Sequence, residues 1–219
     1  TESTVGDPTT QDDMFIRFSD QESIYQTDSY TIRAENTAGT QRLADGSKIM
    51  GAIKGRDAIY VWTDTALFLM QFVGQPFTFS FQQVGTNCGL IGKNAAVEVD
   101  GAAYWMSENG FFRYSGKLDS LPCLVEDFVF DDINTIPKQH ITAGLNNLFT
   151  EITWWYPSTG SDFNNRYVSY NYGVNNAQVP MGNWYTGTNA NAIRTTWIDS
   201  LIYPLPYATS YSSSGTGNF

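Results

Sequence analysis

Residues 95–116, AAVEVDGAAYWMSENGFFRYSG, decide the fold class. Val97 and Val99 alternate with Glu98, and Asp100-Gly101 is the pair favoured in a two-residue hairpin turn. An apolar run over 102–106 follows. Glu108-Asn109-Gly110 then supplies a second turn in which Asn or Gly takes a positive φ at little steric cost. Phe111, Phe112 and Tyr114 open a third strand. Three short strands joined by minimal turns form an antiparallel meander. So aromatic a meander is unstable alone in water and must pack face to face on something similar.

The stretch has a partner upstream. A shift of 44 residues lays Ala58-Ile59-Tyr60 on Ala102-Ala103-Tyr104, Thr63-Asp64 on Ser107-Glu108, and Leu67-Phe68 on Phe111-Phe112. A looser third copy follows after about 50 residues. It is Thr153-Trp154-Trp155-Tyr156, a turn of Gly, Asp and Asn, and Tyr167-Val168-Ser169-Tyr170. A period of about 40–50 residues made only of strands and turns is the signature of β-propeller blades. The fold class expected is all-β, a β-propeller-like series of antiparallel meanders in which Tyr60 and Tyr104 hold equivalent strand positions.

Outward from there, strands are expected over 49–53, 58–62, 66–72 and 77–81, the last with three Phe on one face at period two. A short helix fits 122–133, where Phe128 and Val129 follow Leu124 and Val125 at helical spacing and Pro122 suits a first turn. Further strands are expected over 141–144, 148–156, 166–172, 183–187 and 194–199. The domain reading is an acidic irregular arm over 1–48, a propeller-like domain over 49–200 and a Ser/Gly-rich tail over 201–219 without a closing strand. In the arm only 14–18 reads as a strand. Its first 35 residues carry eight acids against Arg17 and Arg33, which is −6 of the net −10. Residues 1–13 read as a disordered tail, and the rest of the arm as a loop ending at Asp45-Gly46, long enough to serve as a contact toward another subunit.

Composition excludes several classes. No run of eighteen apolar residues exists, so no helix is expected to span a membrane. The start, TESTVGDPTT, has neither Met nor a basic and hydrophobic leader, and reads as a processed product or an excerpt without a signal peptide. Net charge of −10 with scattered cations argues against stable nucleic-acid binding, which needs Lys and Arg on phosphates. Cys88 and Cys123 are the only cysteines and His140 the only histidine, too few ligands for a zinc site. The cysteines read as free, small buried hydrophobes.

No catalytic constellation emerges. Ser-His-Asp and Cys-His arrangements cannot be built around one histidine, and no phosphate-binding or dinucleotide loop is present. Glu126-Asp127 beside Asp131-Asp132 could be drawn as a calcium or glycosidase cluster, but the spacing lacks the alternation of a calcium loop and solvated loop ends account for it. Glu98 and Glu151 lie inside strands and read as outward-facing residues rather than an acid–base pair. Trp105, Trp154, Trp155 and Trp184 could stack on sugars, yet in a meander they read as core. The chain is read as a non-enzyme with no catalytic, cofactor or metal residues and no cofactor.

The blocks MFIRFSDQES (14–23), ENTAGTQRLADGSKI (35–49), YVWTDTALFLMQFVGQPFTF (60–79), GLIGKNAAVEVDGAAYWMSENGFFRYSG (89–116), LPCLVEDFVFDDIN (121–134) and EITWWYPSTGSDFNNRYVSYNY (151–172) resemble tailed-bacteriophage virion proteins. The group is the packaged-DNA stabilisation or tail hub and nozzle proteins of podovirus-like phages. The resemblance spans roughly residues 14–200, is most specific over 60–116, and brings no catalytic motif. It implies a virion structural protein in the phage tail, assembled in the host cytoplasm. Its expected partners are other copies in a ring, neighbouring tail or connector proteins, and DNA only in passage. Members of the group are longer at both ends. A glycan-binding surface propeller or receptor-binding tail module is the alternative, and would present Trp or Tyr in one groove beside Asp, Asn or Arg.

Overall fold

A computed structural model describes residues 1–219 except 5, 24, 25, 27, 175–182, 189–192, 201 and 212–219. The chain forms two compact units, Thr1–Gly89 and Leu90–Phe219. Both are built of antiparallel sheets, so the all-β expectation holds.

In the first unit, β1 (Phe15–Phe18) pairs with β2 (Gly39–Arg42). A four-stranded meander follows: β3 (Ile49–Lys54), β4 (Ile59–Thr63), β5 (Ala66–Gly74) and β6 (Thr78–Thr86). Met14 and Leu43 bury themselves with Val61, Ala66, Phe68 and Met70, and Ile16, Phe18, Phe79 and Phe81 pack around this cluster. Residues of the first 48 thus share a core cluster with the meander, and the two compact units divide after Gly89. Strand β2 escapes a pattern reading because Gly39-Thr-Gln-Arg42 has no apolar alternation. Its partner creates it: the Phe18 ring lies where a Gly39 side chain would stand, within 2.4 Å of an ideal Cβ. Residues 1–13, expected to be disordered, fold back locally. Asp7 caps a 3-10 turn at Pro8–Thr10, and Asp12 donates its N–H to the Thr1 carbonyl at 2.8 Å.

The Asp45-Gly46 turn appears as expected, and two carboxylates hold it. Asp64 accepts the Ser47 N–H at 2.8 Å and its hydroxyl at 2.5 Å, while Asp45 accepts Thr65 Oγ1 at 2.9 Å and Gln83 Nε2 at 2.6 Å. Gly46, at φ 115°, leaves room for Thr63 and the Asp64 carboxylate. Burial raises the Asp64 pKa, but the donors from Ser47 and Lys48 outweigh it and hold the carboxyl below its ordinary value.

The second unit holds two further meanders. One is β7 (Ala96–Val99), β8 (Ala102–Ser107), β9 (Gly110–Tyr114) and β10 (Leu118–Leu121). The other is β11 (Thr142–Asn146), β12 (Glu151–Pro157), β13 (Asn164–Asn171) and β14 (Asn183–Thr188). Between them lies α1 (Glu126–Asp132), shorter than the 122–133 expected, with Val129 buried. A two-stranded sheet of β15 (Ile193–Ile198) and β16 (Tyr207–Tyr211) comes last. Strand β16 corrects the expectation of a strandless end. Tyr207, Thr209 and Tyr211 alternate with small residues, a period of two masked by the Ser-rich composition.

The 44-residue offset is present in the register itself. Ile53, Tyr60 and Leu69 stand in one row of the first meander, as do Val97, Tyr104 and Arg113 in the second. Val61 faces Phe68 as Trp105 faces Phe112, and Trp62 faces Leu67 as Met106 faces Phe111. Tyr60 and Tyr104 thus occupy equivalent positions on the second strand of each sheet. The predicted Asp100-Gly101 turn has φ of 53° and 82°, both left-handed. The third copy also lands as expected, with Trp154 on the second strand and Val168 opposite it on the third.

Within the second unit the sheets pack through alternate residues of β12. Ile152, Trp154 and Tyr156 are fully buried. Trp154 donates Nε1–H to the Ala95 carbonyl at 3.0 Å, and its ring lies 5.0 Å from Phe111. The start of β11 runs beside the entry to β7: Asn94 and Thr142 form a parallel bridge, and the Ala143 N–H donates to the Asn94 carbonyl at 2.8 Å.

Candidate functional site

Most of the residues singled out in the sequence are structural. Trp105 and Trp154 have no exposed surface and Trp155 almost none. Trp184 donates its indole N–H to the Pro122 carbonyl at 3.0 Å and lies 4.7 Å from Phe111. His140 places Nδ1 2.9 Å from the Asp162 carbonyl and stacks on Phe163. Both cysteines are free thiols, raised by burial to about 11 for Cys88 and about 12 for Cys123.

The carboxylates do not converge. Glu98, on β7, accepts the Gly101 N–H at 2.7 Å and fastens its own turn. Glu151, on β12, accepts the Tyr185 hydroxyl at 2.9 Å. Asp127 and Asp131 face solvent on α1, whereas Asp132 forms a 2.9 Å ion pair with Arg166. Burial, with the Asp132 carboxylate adding to it, pushes the Tyr156 phenol up to about 12. Among the described residues no group of three or more His, Cys, Asp or Glu side chains could hold a metal ion.

A different face of the third meander gathers polar and aromatic side chains. Opposite Ile152, Trp154 and Tyr156, the alternation of β12 places Glu151, Thr153 and Trp155 on the other face, where Trp155 is itself buried against Trp197. The register extends them into rows. Gly144, Thr153, Ser169 and Tyr185 form one; Thr142, Trp155, Tyr167 and Gly187 form the next. Gly144 matters here because an added Cβ would stand 2.5 Å from Trp197 and 2.7 Å from Trp155. The two indoles consequently lie close, with centroids 5.2 Å apart, and Trp197 donates Nε1–H to the Leu145 carbonyl at 2.8 Å. Gly187 makes the same allowance for the Tyr167 ring.

The result is a shallow groove of about 240 Å³ walled by Trp155, Trp197, Tyr167 and Tyr185, with Asn146, Glu151 and Arg194 among its polar lining. Burial raises the Tyr185 phenol, and its bond to Glu151 acts in the same direction, so it stays a neutral donor. Aromatic faces beside amide, carboxylate and guanidinium groups can stack on and hydrogen-bond a polyhydroxylated ring. Glycoside hydrolysis would require a second carboxylate facing Glu151 across the groove, and among the described residues none lines it.

Sequence reasoning placed Glu151 outward but missed Tyr167, Tyr185, Trp197, Asn146 and Arg194. The period-two pattern of Glu151, Thr153 and Trp155 was the available signal. The core face of β12 is set by the second meander, where Trp154 meets Ala95 and Phe111, and Trp197 of β15 comes to the other face; both contacts are distant in sequence. No protein-family model matches the chain, and no curated protein matches it. The site is therefore interpreted from its geometry.

Proposed function

We propose that this chain is a bacteriophage virion structural protein, a tail hub or nozzle component of the connector that retains packaged DNA and then lets it pass. Its meanders are blades of a β-propeller-like domain, and its partners are further copies in a ring and neighbouring tail proteins. The observation that carries the reading is the shared register of the first two meanders at an offset of 44 residues, within blocks that resemble the phage group. Parallel first strands are what blades around an axis require, and the Asn94–Thr142 bridge between the entries to β7 and β11 supports that arrangement.

A wall that passes DNA should not hold it, and the charge pattern is in the right direction. Net charge is −10, and Arg33, Arg42, Lys117, Lys138 and Arg166 each sit in an ion pair with a carboxylate. Cations so neutralised release few counterions on meeting a phosphate backbone. Sedimentation of the intact chain tests the reading: a discrete oligomer supports the ring, and a monomer at every accessible concentration overturns it.

The aromatic groove favours a second reading, a glycan-binding propeller or receptor-binding tail module. Binding to an oligosaccharide array that Trp197→Ala abolishes and Trp62→Phe retains would support it. An array without signal would remove it.

A further inference from the structure

Arg194 and Trp197 both line the groove beside Trp155, although they stand three residues apart on β15, where strict alternation sends side chains to opposite faces. The register gives the reason. Arg194 pairs with Ser210 and Thr196 with Thr209, so Thr195 is an extra residue on β15. Beyond it, Trp197 pairs with Ala208. Ser210 and Ala208 share a face of β16 by alternation, and directly opposed residues share a face of a sheet. The bulge therefore brings Arg194 round to the face of Trp197, the way bulges re-aim single side chains.

The bulge is fastened on both sides. The Arg194 carbonyl accepts Asn164 Nδ2–H at 2.8 Å, and the Thr195 carbonyl accepts the Thr142 hydroxyl at 3.0 Å, both from the third meander. Toward β16, Thr195 Oγ1 lies 2.7 Å from Thr209 Oγ1. These bonds hold the backbone from which the Arg194 side chain leaves. The guanidinium so placed is kept unpaired. Arg33, Arg42, Lys117, Lys138 and Arg166 each meet a carboxylate, whereas among the described residues Arg194 meets none, although Glu151 lines the same groove. Glu151 is engaged elsewhere, accepting the Tyr185 hydroxyl at 2.9 Å, and the Thr153 and Ser169 hydroxyls lie 2.7 Å apart beside it. The lining thus combines one carboxylate and several hydroxyls with a planar fork of cationic N–H donors.

We propose, building on the glycan-binding reading above, that this groove is selective for an acidic sugar, a hexuronic acid whose carboxylate pairs with Arg194. A guanidinium receives a carboxylate through two parallel hydrogen bonds, a match that a ring hydroxyl does not reproduce. The half-buried Trp197 and Tyr167 supply aromatic surface for the apolar face of the ring, and Glu151 and Tyr185 supply partners for its hydroxyls. At about 240 Å³ the groove is smaller than the about 300–1,000 Å³ of sites for drug-sized ligands. That suits one pyranose ring with its carboxylate directly attached rather than an acidic sugar with a long side chain.

Calorimetric titration of the full chain with digalacturonate, and with the same disaccharide after carboxyl reduction, tests this. The acid is expected to bind about tenfold more tightly than its reduced form, or better, as a charge-assisted pair provides. Arg194→Ala should weaken the acid about tenfold and leave the reduced sugar as it was, and Arg194→Lys should restore only part of the preference. Trp197→Ala should weaken both sugars alike. Equal binding of the two sugars by the wild type, or a preference for the acid that Arg194→Ala retains, overturns the proposal and leaves the glycan-binding reading standing. A chain that binds neither sugar overturns it as well, and the oligosaccharide array then decides the wider reading independently.

Discussion

Trp154 is the side chain on which the packing between the second and third meanders depends most. Its substitution by Phe removes the Nε1–H bond to the Ala95 carbonyl and part of a fully buried ring. The carbonyl is not orphaned, because it keeps the Met106 N–H at 3.1 Å. The loss is then one neutral hydrogen bond, about 1 kcal/mol, plus about 1–2 kcal/mol for the space vacated beside Phe111. Trp154→Phe should cost about 2–3 kcal/mol, and Trp154→Ala about 3–5 kcal/mol, in the range of large-to-small core changes. With a urea dependence of about 2–3 kcal/mol per molar, the Phe variant lowers the unfolding midpoint by roughly 1 M. Hydrogen exchange at the Ala143 amide, bonded to Asn94 at 2.8 Å, localises the effect. A destabilised variant with Ala143 protected as in the wild type would refute the role given to Trp154.

Other expectations follow from single groups. Asp64 is held below its ordinary pKa, so its contribution is present above the unfolded value of 3.8 and lost as pH falls through the depressed folded value. Asp64→Asn should cost about 1–2 kcal/mol at neutral pH, and the gap to the wild type should close below pH 3.8 in acid unfolding curves; a constant gap would exclude the carboxylate as its source. Alkylation in denaturant without reductant should add two labels by mass, and one or none would reveal a blocked thiol. In the native state Cys88, raised from 9.0 to about 11, holds about a hundredfold less thiolate than an ordinary cysteine and should label slowly. Duplex DNA should show no gel shift even in low salt, where screening is weak. A shift that fades steeply with salt would reveal a basic face.

Much of this fold was legible because turns and alternation are local. Asp100-Gly101, Asp45-Gly46 and the alternation of Phe79 with Phe81 announce their structures, although β6 begins at Thr78 and leaves Phe77 outside it, and a single offset aligns Tyr60 with Tyr104. What escaped depended on distant partners. Gly39–Arg42 is a strand because Phe18 lies across it, and residues 1–48 belong to the first unit because Met14 and Leu43 close a core with Val61 and Phe68. The candidate groove was half visible, since Glu151, Thr153 and Trp155 share one face by strand geometry alone. Tyr185 and Trp197 complete it from β14 and β15, more than 30 residues away, which no local pattern encodes.

The most direct test of the central claim is electron cryomicroscopy of the assembled protein. A rotationally symmetric ring with an open axial channel wide enough for duplex DNA is the predicted result, with the meanders of each copy arranged as blades. Isolated monomers, two-fold dimers or open filaments would contradict it, because none of them encloses a passage for DNA.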